Sequence, residues 1–95
     1  MKFLLTLLMT LVLAFLVAGP AAAQSHIVIY GSVNCPYTRM AISDHPDAVF
    51  YDVEQDPSKL DEMLYYSNGV LLYPIVVVDG QVYIGYQGDS CHNPQ

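Results

Sequence analysis

The chain has 95 residues, two cysteines and a formal charge of −6. That length holds one domain with a thin core, because a small domain covers only ~60% of the surface its unfolded chain exposes. Nine acidic residues against three basic ones exclude the basic footprint of a nucleic-acid binder and disfavour an anionic membrane surface; solubility is their simplest consequence.

Residues 1–23 have the layout of a secretory signal peptide. Lys2 opens an apolar run over residues 3–18 that is interrupted only by Thr6 and Thr10. Gly19 and Pro20 end the run, and Ala21-Ala22-Ala23 forms a small-residue cleavage site. The run is short for a comfortable membrane span, which needs roughly 17–25 apolar residues. Cleavage after Ala23 and a periplasmic or secreted protein are therefore expected. The alternative is an uncleaved membrane anchor with the domain facing out of the cytoplasm. Residues 24–95 form the domain. Its basic residues are Arg39 and Lys59, so with nine acids it carries a formal charge of −7. All eight tyrosines lie there and add aromatic area to a small core.

Ile27-Val28-Ile29-Tyr30 is a β-branched run that ends on Gly31-Ser32, as a buried parallel strand would. Pro36 suits the first position of a helix, where its missing N–H costs nothing. That helix is expected to run from residue 36 towards residue 42 and to stop before His45-Pro46. Residues 49–53 are the second strand. Asp56 and Pro57 open a second helix as N-cap and first helical residue. Leu60, Met63 and Leu64 give its buried face, and Asn68-Gly69 closes it. Residues 75–78 form a third strand. Asp79-Gly80 is a two-residue hairpin turn, and residues 81–84 return antiparallel with Val82 and Ile84 alternating. Residues 85–95, polar and glycine-rich, are expected to be loop. The order β-α-β-α-β-β, with a parallel first pair, predicts an α/β domain with a mixed four-stranded sheet and helices packed against it.

Within that order the chemistry gathers around Cys35. It lies between the end of the first strand and the start of a helix, where free N–H groups and the helix dipole favour a thiolate. Thr38 sits three residues on; its hydroxyl either donates to the same sulfur or bonds locally to backbone. Tyr73-Pro74 precedes the third strand, a place that suits proline and admits a cis bond. Three readings of Cys91 stand side by side: a thiol that resolves mixed disulfides, a structural bridge to Cys35, and a free tail thiol. The first is expected, because the tail leaves the sheet only a few residues earlier. Cys91-His92 lacks the spaced ligand set of a zinc site, so no metal is expected.

These residues carry a resemblance. Cys35-Pro36-Tyr37-Thr38 resembles the Cys-Pro-Tyr-Cys site of glutaredoxins, with Thr in place of the second cysteine. Residues 51–57, Tyr-Asp-Val-Glu-Gln-Asp-Pro, are similar to the glutaredoxin second strand running into its second helix. Residues 72–80 resemble the Thr-Val-Pro segment, third strand and hairpin, and Ile84-Gly85 the start of the glycine-rich turn that follows. The pattern is also similar to a small glutaredoxin-like group with a single cysteine or selenocysteine in a C-x-x-T or U-x-x-T site. The resemblance spans residues 27–89. It implies a thioredoxin-like fold and an exported thiol–disulfide oxidoreductase of monothiol type, in which Cys35 forms mixed disulfides with protein or low-molecular-weight disulfides. It implies Cys35 and Thr38 at the reacting site, where Cys91 or an exogenous thiol would resolve the mixed disulfide, and Tyr37, Tyr73, Pro74 and Gly85 as the substrate-binding set. Pro74 would be a cis-proline facing the sulfur, and the Tyr73 backbone would pair with a peptide or with glutathione. It implies no cofactor, with glutathione as a thiol co-substrate, and a monomer. The chain departs from the family in four places. Residues 30–34, just before Cys35, contain no lysine, Tyr86 stands where the second turn glycine would be, the first helix is shortened, and the final helix is missing. The alternative function is a non-enzymatic thioredoxin-fold module that binds a peptide or thiol.

Overall fold

The β-branched run forms β1 (Ile27–Gly31), and its last three residues are buried. A computed structural model describes residues 25–92 of the chain; the signal-peptide expectation for residues 1–23 lies outside them. The chain leaves β1 through residues 32–35 and enters α1 (Pro36–Asp44). It returns as β2 (Val49–Asp52), parallel to β1 with Tyr30 opposite Tyr51. The helix reaches Asp44, two residues beyond the expected end. His45 caps it by donating its amide to the Ala41 carbonyl at 3.0 Å. Pro46 then stops it.

The second helix, α2 (Pro57–Tyr66), starts as its sequence dictates. The Asp56 carboxylate accepts from the Ser58 amide at 3.1 Å and the Ser58 hydroxyl at 2.7 Å, which holds its pKa below the usual carboxylate value. At the far end Asn68 and Gly69 take φ of 56° and 88°, and the Gly69 amide donates to the Leu64 carbonyl at 2.8 Å. This is the left-handed exit that glycine permits.

A short strand β3 (Leu72–Tyr73) precedes β4 (Ile75–Val78), which lies antiparallel to β1 with Ile29 opposite Val76. Asp79 and Gly80, at φ of 50° and 85°, turn the chain into β5 (Gln81–Ile84). Both residues are left-handed, as a two-residue hairpin turn requires. The result is an α/β fold with a mixed four-stranded sheet in the order β2-β1-β4-β5.

Side-chain alternation along β1 and β4 sends neighbours to opposite faces. Ile29 and Val76 pack with Ala41 and Ile42 of α1. Tyr30, Ile75 and Val77 pack with Leu60, Met63 and Leu64 of α2. Tyr30 is the anchor of the second face. Its ring lies 5.6 Å from that of Tyr51 and 5.9 Å from that of Tyr66. Its hydroxyl donates to the Glu62 carboxylate. Burial, and then Glu62 itself, push the Tyr30 hydroxyl above its ordinary pKa. Lys59 sits 3.1 Å from the other Glu62 oxygen and 4.0 Å from the centre of the Tyr51 ring.

The tail corrects the sequence reading. Residues 85–92 are not simply loop. Gly85 takes φ of 81°, and a Cβ there would lie 2.6 Å from the Asp89 carbonyl oxygen. Tyr86 and Asp89 then exchange backbone hydrogen bonds at 2.7 and 3.0 Å, with Gln87 and Gly88 left-handed between them. The chain doubles back as β6 (Cys91–His92), antiparallel to β3. No helix among the described residues is long and apolar enough to cross a membrane.

Candidate functional site

Cys35 occupies the N-cap position of α1, in extended backbone at φ −94° and ψ 121°. Its amide donates to the Ser32 carbonyl at 3.0 Å, and its own carbonyl accepts from the Arg39 amide at 3.1 Å. The Arg39 bond is the first of the helix, so the Tyr37 and Thr38 amides have no intrahelical partner. The approach to Cys35 is held by Ser32, which is buried. The Ser32 hydroxyl oxygen accepts from the Asn34 amide at 3.0 Å and donates its proton to the Glu54 carboxylate.

Cys35 is bonded to Cys91. The two Cα atoms are 6.0 Å apart, within the span a disulfide bridges without backbone movement. Neither cysteine is free, which removes the reading of Cys91 as a free tail thiol. Cys35 is 3% exposed, while Cys91 is half-buried against the same cluster of Tyr30, Tyr73 and Ile75. Cys91 stands opposite Tyr73 in the β3–β6 pair, and His92 opposite Leu72.

The Tyr73–Pro74 peptide bond is cis, and the Tyr73 carbonyl oxygen lies 3.8 Å from the Cys35 sulfur. With the disulfide closed there is no S–H to donate. A reduced Cys35 thiol would have an acceptor at that point. Burial, and then the charges of Glu54 and Asp52, raise the pKa of the Tyr73 hydroxyl.

The other expected residues divide. Tyr37 is half-buried against the cluster that holds both cysteines. Thr38 is fully buried, and its hydroxyl oxygen accepts from the Ser32 amide at 3.4 Å. Its side chain also closes over Gly31, where a Cβ would lie 2.5 Å from the Thr38 oxygen. Its hydrogen bond therefore ties α1 to the end of β1. Gly85 is one step away from the sulfurs: its amide donates to the Pro74 carbonyl at 2.7 Å, bracing the proline segment from behind.

Ser32, Asn34, Cys35, Glu54, Tyr73, Cys91 and His92 line a shallow depression of about 80 Å³. Ser32, Asn34, Glu54 and His92 were not expected to share it. The available signal for Glu54 was its place just beyond the carboxyl end of β2, where open α/β sheets put their ligands. A larger groove of about 340 Å³ lies at the far end of α1, around residues 44–48, and contains neither cysteine. Among the described residues no group of three or more His, Cys, Asp or Glu side chains is placed to hold a metal ion. The chain matches no protein-family model and no curated protein.

Proposed function

We propose that this chain is an exported thiol–disulfide oxidoreductase with a thioredoxin-like fold of glutaredoxin type, in which Cys35 is the attacking thiol and Cys91 the resolving one. The observation that carries the reading is the meeting of Cys35, at the start of α1, with Cys91 and with the cis Tyr73–Pro74 bond. A helix start stabilises a thiolate and makes it a better leaving group. Export is supported by the layout of residues 1–23, and an exported protein keeps disulfides.

In the reduced protein the Cys35 thiolate attacks one sulfur of a partner disulfide. A Cys35–partner bond forms, and the partner's other sulfur leaves as a thiolate that takes up a proton. Cys91 thiolate then attacks the Cys35 sulfur. The Cys35–Cys91 bond forms, and the partner's second thiol is released. The partner gains two electrons and the protein loses two. A dithiol protein, or two molecules of a monothiol such as glutathione, returns the protein to its reduced state. No further cofactor is needed.

A second reading has its own support. Cys35 is buried and Cys91 packs on the same core, as a structural bridge would. Closing a loop with a sequence separation of 56 would stabilise the fold by about 4 kcal/mol on the chain-entropy model. A glutathione redox titration beside a melting curve of Cys91→Ser separates the two. The exchange reading expects a bridge that opens above roughly −300 mV and a variant that keeps its fold and traps partners on Cys35. A bridge that stays closed in strongly reducing buffer, with a large stability loss in the variant, makes the bridge structural.

A further inference from the structure

The strand that carries Cys91 does something that a simple resolving thiol need not do. It pairs with Tyr73, the residue just before the cis-proline, and among the described residues β6 is the one strand that pairs with β3. The tail thus presents a cysteine in extended backbone, antiparallel to the Leu72–Tyr73 edge, with its sulfur bonded to Cys35. That is the arrangement a partner's cysteinyl peptide would adopt in a mixed disulfide with Cys35. An incoming peptide and the tail need the same backbone groups.

The surroundings add a charge preference. Glu54 is exposed and lines the same depression as His92, the residue that follows the tail cysteine. Neither of the domain's two cations lines that depression. Arg39 Nη1 donates to the Val33 carbonyl at 2.7 Å, and Lys59 pairs with Glu62 at 3.1 Å. A ligand with free carboxylates, such as glutathione, would meet Glu54 in a depression that no lysine or arginine lines. A basic side chain after the cysteine would meet a carboxylate.

We infer that β6 is a covalently held stand-in for a substrate, and that the partner displacing it is an extended peptide with a basic residue directly after its cysteine. The inference rests on the redox reading above. When a dithiol reductant converts the Cys35–Cys91 bond to two thiols, the ladder left between β6 and β3 is two residues long, and so short a pairing is marginal in water. The edge then opens beside a free Cys35. Oxidation closes it again, so the protein binds partners only in its reduced state.

The test uses the full chain carrying Cys91→Ser. Its probes are synthetic peptides of the form Gly-Asp-Ser-Cys-X, each activated as a mixed disulfide with thionitrobenzoate, whose release reports coupling to Cys35. With X as lysine, coupling should be about fivefold faster than with X as glutamate at low salt, and the gap should narrow as salt screens it. Methylating the backbone nitrogens of the cysteine and of X, which removes strand pairing, should slow the lysine peptide at least about tenfold. Glutathione activated in the same way should couple more slowly than the lysine peptide. In the wild-type protein, whichever of the Leu72 and Tyr73 amides faces β6 should exchange with deuterium faster after reduction. Equal rates for the methylated and unmethylated peptides, or amide exchange unchanged by reduction, overturn the stand-in. Equal rates for lysine and glutamate overturn the charge preference. If no probe couples faster than it does to free cysteine, the redox reading itself falls, a result distinct from the others.

Discussion

The central sheet and the β3–β6 ribbon are held together by different forces. The sheet has four-residue ladders on both sides of β1, with Ile29, Ile75 and Met63 fully buried across its two faces. The ribbon has one two-residue ladder, its last residue is exposed, and it is fastened by the bond between Cys35 and Cys91. Burial is spread over many contacts and persists in any redox state. A covalent fastening is strong but vanishes with two electrons. The difference places the part fastened by a reducible bond beside Cys35.

The largest expected effect tests whether the sheet stands without the ribbon. Met63→Ala removes a fully buried side chain and should cost about 2–5 kcal/mol. Urea titrations of oxidised and reduced protein should give the same cost in both. A cost that collapses on reduction would mean that the sheet's packing depends on the ribbon, and the comparison would break.

Gly85→Ala strikes the turn that sends the tail back. The residue sits at φ of 81°, and the new Cβ would meet the Asp89 carbonyl. Holding a residue other than glycine there costs about 1–3 kcal/mol. The loss should appear as a lower melting temperature and as easier reduction of the disulfide. An unchanged redox midpoint would show that the turn contributes nothing to the ribbon's closure.

Tyr30→Phe has the smallest effect at neutral pH, about 1 kcal/mol for a lost hydrogen bond, and the sharpest signature in alkali. The folded state holds the Tyr30 proton more tightly than the unfolded chain does. Its contribution is therefore full below the unfolded value of about 10 and is lost as pH rises from there towards the folded value. Stability of the wild type, followed by circular dichroism, should fall above pH ~10, and the variant should fall less steeply. Identical alkaline profiles would remove Tyr30 as the titrating group of the sheet.

Features set by a few neighbouring residues are legible in the sequence. Asp56-Pro57 opens α2, Asp79-Gly80 turns the hairpin, and Cys35-Pro36 marks a helix start, because each depends on backbone angles and caps within about four residues. The parallel pairing of β1 and β2 followed from element order and the helix between them. The ribbon was not legible. Its pairing depends on a reversal at residues 86–89 whose polar composition suits any loop, and on a partner strand only two residues long. Thr38 was ambiguous for a related reason. Its spacing from Cys35 suits a bond to sulfur, but the bond it makes depends on how closely α1 seats against Gly31.

The amino-acid sequence by itself determined an α/β chain order, an acidic domain and one cysteine at a helix start, all consequences of local propensity, hydrophobic period and charge. Tertiary structure alone decided that Cys91 bonds to Cys35, that its strand lies on the edge beside Pro74, and that Glu54 and His92 face one depression. Those contacts join residues that are tens of positions apart. Their geometry comes from how the two helices pack on the sheet and where the last turn points, and no stretch of neighbouring residues encodes either.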